Sequence, residues 1–197
     1  MTRGCMSLSI NDLQKDTLFL LDGTPHQVLE VHHKKMARQG ATLEVKCRNL
    51  ISKTNITRTF FPSDKFEYAE IDKKEMVFLY HHREEYWFVG IGNKSDRVKI
   101  ARKDIDDVAD YLLPNTEVVV EYFNNTVIGV RIPIKVDMEV IEAPPSIKGN
   151  TVSSGTKQVV VASGMSVKTP LFIQKGDVIR INTQKGEYVE RVQKAGI

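Results

Sequence analysis

Alternation of polar and apolar residues with a period of two constrains this chain more than any other feature. In Ala41-Thr-Leu-Glu-Val-Lys-Cys-Arg-Asn-Leu50, Thr42, Glu44, Lys46 and Arg48 interleave with Leu43, Val45 and Cys47. Successive strand side chains point to opposite faces, so this pattern sets one face on a core and leaves the other wet. Strand-like runs at 17–21 and 26–31 flank Asp22-Gly23, a dipeptide suited to a two-residue hairpin turn because its second position tolerates positive φ. Runs at 117–123 and 127–132 flank Asn124-Asn125, and Asn accepts the left-handed conformation better than most residues. Further runs lie at 56–61, 76–80 and 86–91, the last two joined by the charged tip His81-His-Arg-Glu-Glu85. After Pro133 come 135–141, 158–162, 177–182 and 187–192, the last pair around Thr183-Gln-Lys-Gly186. Many short strands at about ten-residue spacing predict an all-β chain of small barrels or sandwiches. One stretch departs from the pattern. Ile105, Val108, Ala109 and Leu112 fall at i, i+3, i+4 and i+7, which predicts one short helix within 101–113, stopped by Pro114.

The chain has 197 residues, and the patterning divides it into three modules, 1–69, 70–133 and 134–197. Each is small for independent folding, so short, stiff connections between them are expected. With 41% hydrophobic and 27% charged residues, the composition is that of a globular protein. No apolar stretch approaches the roughly 18–20 residues that span a bilayer, and the first residues lack the apolar core of a secretory leader. A cytoplasmic monomer with no membrane partner is the expectation. Cys5 and Cys47 form neither a disulfide framework nor a metal-ligand spacing, and are read as reduced thiols.

The net charge of +3 hides a division. Residues 1–70 carry ten Lys/Arg against eight Asp/Glu, 71–133 nine against eleven, and 134–197 nine against six. Basic ends flank an acidic middle, though Lys-rich surfaces are often simply solvated faces.

Catalytic signatures are missing from the sequence. It has no Gly-rich phosphate loop, no His-Glu-x-x-His and no nucleophile elbow. His32-His33 and His81-His82 are strand neighbours that point to opposite faces, so no metal site is expected. Asp104, Asp106, Asp107 and Asp110 read as the wet face of the predicted helix. What stands out is the segment His32-His-Lys-Lys-Met-Ala-Arg-Gln-Gly40, read as a loop between strands ending near Val31 and beginning near Ala41. Across 31–48, Lys34, Lys35, Arg38, Lys46 and Arg48 face a single acid, Glu44. Such a basic tip suits phosphates through charge-assisted hydrogen bonds, and the same pattern also describes an ordinary solvated turn.

Lys157, then Gly164-Met-Ser-Val-Lys-Thr-Pro170, Leu171-Phe-Ile173 and Gly176 follow the signature spacing of a known family. Residues 176–192 track that family's final hairpin, and Pro145-Ser-Ile-Lys-Gly-Asn-Thr151 its preceding loop. Asp22-Gly23, Val45-Lys46, Arg48-Asn-Leu50, Tyr80 and Trp87-Phe88 match its earlier modules. Across nearly its full length the chain resembles bacterial elongation factor P. Val159 stands for a usual Ala and Thr169 for a usual Val.

The resemblance implies three β-barrels, one SH3/KOW-like followed by two OB-like, in an L-shaped, tRNA-like arrangement. It implies a non-enzymatic factor that binds both ribosomal subunits between the P and E sites and promotes peptide-bond formation on peptidyl-tRNA stalled at consecutive prolines. Basic end modules would face RNA, while an acidic middle would avoid binding it indiscriminately. The first-module tip would reach the acceptor end of P-site tRNA through Lys34, Lys35, Met36, Ala37, Arg38, Gln39 and Gly40. Family members often carry Pro-Gly-Lys-Gly with a modified lysine; here Met36-Ala37-Arg38-Gln39 aligns, which puts Arg38 at that position. Three states stay open: Arg38 rhamnosylated by a modifying enzyme, Arg38 unmodified, or Lys34 or Lys35 modified in a shifted register. No other cofactor is implied. Gly149-Asn150-Thr151 replaces a family Gly-Asp-Thr loop that contacts E-site mRNA; Asn keeps the acceptor oxygen, adds donors and loses charge. Tyr188 and Arg191 match residues that the family places near small-subunit RNA and tRNA, and equally fit core packing and a solvated strand end. Two other readings stand beside this one. One is an elongation factor P-like paralogue with different target peptides. The other is an OB-type RNA binder acting off the ribosome, which needs exposed aromatic platforms; Phe19, Phe60, Phe88 and Phe172 read instead as core.

Overall fold

The structure is a computed structural model that describes residues 7–36, 40–105, 107–145 and 155–196, with 35, 36, 40 and 41 described by backbone alone. The described chain is all-β, and its strands form three sheets.

The first sheet contains β1 (Ser7–Ser9), β2 (Leu18–Leu21), β3 (Thr24–Met36), β4 (Gly40–Asn49), β5 (Asn55–Phe60) and β6 (Lys65–Tyr68), in the order β1-β6-β2-β3-β4-β5. Asp22 and Gly23 turn β2 into β3 with φ of 51° and 72°, both left-handed, as the hairpin turn requires. The alternation read at 41–50 is realised, with Leu43, Val45 and Cys47 fully buried. They join Val28 and a cluster of Phe19, Phe60 and Phe66, whose rings meet edge to face with centroids 4.7–6.2 Å apart.

The second sheet contains β7 (Asp72–His82), β8 (Glu85–Gly90), β9 (Asn93–Ala101), β10 (Glu117–Phe123) and β11 (Thr126–Arg131), in the order β11-β10-β7-β8-β9. Asn124 and Asn125 make the β10–β11 turn at φ 49° and 62°. The predicted helix is not there. Two single 3-10 turns, Arg102–Asp104 and Ala109–Tyr111, take its place. Ile105 (φ −132°, ψ 19°) and Val108 (φ −123°, ψ −11°) leave helical geometry between them. β-branched and aspartate residues are poor helix formers, so the segment yields to tertiary packing. The apolar periodicity still reports the core, because Ile105, Ala109 and Leu112 are buried.

The third sheet contains β12 (Lys135–Glu142), β13 (Thr156–Val161), β14 (Ser166–Pro170), β15 (Val178–Asn182) and β16 (Glu187–Gln193), in the order β14-β13-β12-β15-β16. Met138, Val140, Val159, Val161, Val167, Ile173, Ile179 and Ile181 form its core. By internal packing the chain divides into two compact units, Met1–Asp72 with Glu121–Gly129, and Lys73–Val120 with Val130–Ile197.

Candidate functional site

The tip hairpin is longer than its sequence suggests. Residues 32–36 were expected in a loop, yet β3 and β4 stay paired through His32↔Glu44, His33↔Leu43, Lys34↔Thr42, Lys35↔Ala41 and Met36↔Gly40. Basic and apolar residues continue the strands there because a cross-strand partner satisfies each backbone group, whatever the side chain. β5 accompanies β4 only as far as Leu43↔Phe60, and β2 accompanies β3 only over Thr24–Gln27. The last three pairs therefore form a two-stranded ribbon, about 10 Å long at the usual rise per strand residue. Ala37, Arg38 and Gln39 follow it in the chain and lie outside the described residues, as do the side chains of Lys35 and Met36. The chain thus reaches Arg38 from the end of a regular ribbon.

The basic residues on this hairpin are partly neutralised. Lys34 Nζ is 2.6 Å from Glu44 Oε2, and Lys46 Nζ is 3.3 Å from Glu30 Oε1. Both pairs are exposed and tie one strand to the next. Gly149, Asn150 and Thr151 also lie outside the described residues. At the base of that loop Lys157 Nζ donates to the Pro144 carbonyl at 3.0 Å.

The third predicted group is fully described. Tyr188 pairs with Ile181 across β15–β16 and packs half-buried against the core. Burial pushes its phenol above the ordinary range, against a smaller opposing pull from Arg191. Arg191 is clamped. Its Nη1 donates to Asp177 Oδ2 at 3.3 Å, and Asp177 is wholly buried. The same carboxylate accepts the N–H of Gln174 at 2.9 Å and that of Ala195 at 2.8 Å. Burial alone would raise the Asp177 pKa; the two N–H donors and the guanidinium outweigh it and hold the carboxyl below its ordinary value. Gly176, at φ +88°, makes this corner, and a Cβ there would come 3.1 Å from that of Ala195. The Arg191 guanidinium carbon lies over Phe172, 5.1 Å from the ring centroid.

Phe172 overturns an expectation. Phe19, Phe60 and Phe88 are core, but Phe172 is 54% exposed. It lies in the turn after β14, not in a strand, and the neighbouring Ile173 is the residue that turns inward. Asp177 went unnoticed in the sequence. Its signal was a turn glycine followed by an aspartate at a strand start, a setting in which the side chain accepts nearby backbone N–H groups.

Family models match all three sheets in order. Residues 9–66 match the Elongation factor P (EF-P) KOW-like domain, 71–130 the Elongation factor P (EF-P) OB domain, and 136–191 Elongation factor P, C-terminal. The chain belongs to the elongation factor P family. Elongation factor P of Desulfatibacillum aliphaticivorans is 33% identical over 187 residues, covering 95% of this chain and all of the relative. That of Acetivibrio thermocellus is 35% identical over 185 residues, covering 94% and all of the relative. A solved structure, eukaryotic translation initiation factor 5A from Methanococcus jannaschii, shares the fold. It aligns with a TM-score of 0.51 at 16% identity over 64% of this chain and 94% of that one. Family membership makes this chain a translation elongation factor with a KOW-like domain and OB-fold domains. Among the described residues no helix is long and apolar enough to cross a membrane.

Proposed function

We propose that this factor binds the ribosome between the P and E sites and speeds peptide-bond formation on peptidyl-tRNA stalled at consecutive prolines. The observation that carries the reading is the family match, which runs the whole length of its relatives through all three domains. The β3–β4 ribbon supports it, since the ladder runs on to Met36↔Gly40, the described residues that flank Ala37, Arg38 and Gln39 in the chain. Proline's ring fixes φ and stiffens the nascent chain, and a misaligned ester reacts slowly because proximity and orientation supply much of the rate. A guanidinium at the acceptor end of the tRNA restores alignment through charge-assisted hydrogen bonds to phosphate, while ribosomal RNA makes the bond. In this reading Gly149-Asn150-Thr151 meets E-site mRNA, and Tyr188 with Arg191 meets small-subunit RNA and tRNA. Arg38 works either bare or with a rhamnosyl group added by a modifying enzyme.

The test is the rate of peptide-bond formation on ribosomes translating a Pro-Pro-Pro message, with and without the factor. The wild-type chain is expected to accelerate the step, and Arg38→Ala to abolish the acceleration with an unchanged circular dichroism spectrum. Full acceleration by Arg38→Ala removes Arg38 from the mechanism. The unusual Met36-Ala37-Arg38-Gln39 tip favours a second reading, a paralogue with other target peptides. It is distinguished by rescue of non-proline stalls in the same assay.

A further inference from the structure

The second sheet carries a feature that the translation-factor reading does not use. Along β7–β8–β9 the register aligns Tyr80, Trp87 and Lys99 in one cross-strand row. Tyr86, Phe88 and Ile100, the sequence neighbours of Trp87 and Lys99, are buried, which sets Trp87 and Lys99 on the outer face, and a register shift after the buried Phe78 brings the exposed Tyr80 into line with them. The Tyr80 and Trp87 rings lie nearly parallel, 22° apart with centroids at 6.1 Å. Lys99 Nζ lies 5.9 Å from the Trp87 centroid. Tyr80 is 52% exposed. The next row, Val77, Val89 and Arg97, ends in a second cation.

We propose that this row is a stacking platform for unpaired RNA bases, with Lys99 and Arg97 facing the phosphates. The exposed Tyr80 ring, backed by Trp87, gives bases a sequence-tolerant partner, and the face of strands 2 and 3 of an OB domain, here β8 and β9, is where oligonucleotides are held in that fold. Lys99 is already paired with Glu85 at 2.8 Å, but both side chains are about half exposed. An exposed pair of this kind is worth little, so a phosphate displaces the carboxylate at small cost.

Charge favours RNA over an acidic protein-repelling role for this module. Its acidic excess lies elsewhere: residues 72–101 hold six Lys/Arg and five Asp/Glu, residues 102–133 three and six. The three-stranded segment is therefore net +1, and the segment beyond it, at −3, brings the middle module to −2. An obligate folded partner would need a broad apolar patch, whereas beside this row only the half-buried Val77 and Val89 are apolar, and Arg97, Lys99 and Glu85 border them.

Trp87 is the only tryptophan of the chain, so its emission reports the platform directly. The full chain is titrated with a single-stranded adenosine 12-mer at low and high salt. Saturable quenching is expected, weakened about tenfold or more by Tyr80→Ala and by Tyr80→Leu, the latter keeping apolar cover on the sheet. Lys99→Ala is expected to flatten the salt dependence. Arg38→Ala is expected to quench like wild type, which separates this site from the tip. Several results overturn the proposal: no quenching, equal quenching by an RNA duplex or by inorganic polyphosphate, or wild-type affinity in Tyr80→Leu. RNA binding seen by anisotropy with Trp87 emission unchanged also overturns it. So does loss of ribosome binding in Tyr80→Leu without any effect on the 12-mer, which would mark a protein contact.

Discussion

Lys34 and Arg191 are both cations held by a carboxylate, and their mountings differ in kind. Lys34 sits on the two-stranded end of β3 and meets Glu44, with the two side chains 49% and 28% exposed. Arg191 sits on β16 and meets Asp177, whose side chain is 1% exposed and also fastens two backbone N–H groups. Water screens the first pair and competes for each partner; the second carboxylate is shielded from water and has protein donors alone. A cation on the first mounting is free to exchange partners. A cation on the second is held in place by its carboxylate, with its Cζ over the Phe172 ring.

The largest effect separating the two regions is expected from Asp177→Ala. It leaves the N–H groups of Gln174 and Ala195 without an acceptor and Arg191 without its clamp. Removing one member of a buried, hydrogen-bonded pair costs about 3 kcal/mol. Urea unfolding should show a lower midpoint, and Asp177→Asn, which keeps an acceptor oxygen, should lose less. Equal stability of Asp177→Ala and wild type would make the clamp ornamental and erase the contrast with Lys34.

A pH titration sharpens the same contrast. The folded Asp177 carboxyl lies below its ordinary value of 3.8. A group whose pKa is lowered by folding contributes stability above its unfolded value and loses it as pH falls through the folded one. Asp137 behaves alike, because the two hydrogen bonds from Arg180 at 2.7 and 2.9 Å outweigh its desolvation. Stability is therefore expected to be flat from neutral pH to about 5 and to fall below about 4. In Asp177→Asn the acid limb should be shallower, measured as the unfolding free energy at pH 5 and pH 2.5. An unchanged limb would mean that Asp177 titrates normally and is not clamped.

How much of this was legible in the sequence follows from the range of the interactions. Turn dipeptides act over four residues, and Asp22-Gly23 and Asn124-Asn125 adopt the positive φ that their chemistry predicts. Alternation acts within one strand, and it located β4 together with the buried side of its core. β9 escaped notice because Asn-Lys-Ser-Asp-Arg-Val-Lys-Ile-Ala is mostly polar and commits only Ile100 fully to the core. The helix expectation failed for a related reason: Ile105, Ala109 and Leu112 have to be buried, and two 3-10 turns bury them without a helix. At the site, the family motif pointed to Arg38 and Arg191, but the bond from Ala195 to Asp177 spans 18 residues and no local pattern encodes it. The same holds for Phe172, whose place in an apolar run says core while the turn after β14 sends it outward.

The smallest effect belongs to the ribbon. A double-mutant cycle of Lys34→Ala and Glu44→Gln is expected to give a coupling energy of about 0.5 kcal/mol or less, since exposed pairs gain little attraction and lose side-chain freedom. The coupling should shrink further when salt is raised from 0.05 to about 0.5 M, because the Debye length falls well below 10 Å. Read by urea unfolding alone, either single variant should look close to wild type. The informative measurement is ribosome affinity: if Lys34 exchanges Glu44 for a phosphate, Glu44→Gln should strengthen binding slightly and Lys34→Ala should weaken it, with stability unchanged in both. A coupling above about 2 kcal/mol would show that Glu44 holds Lys34 as firmly as a buried carboxylate does, and the distinction between an exchanging cation and a fixed one would fail.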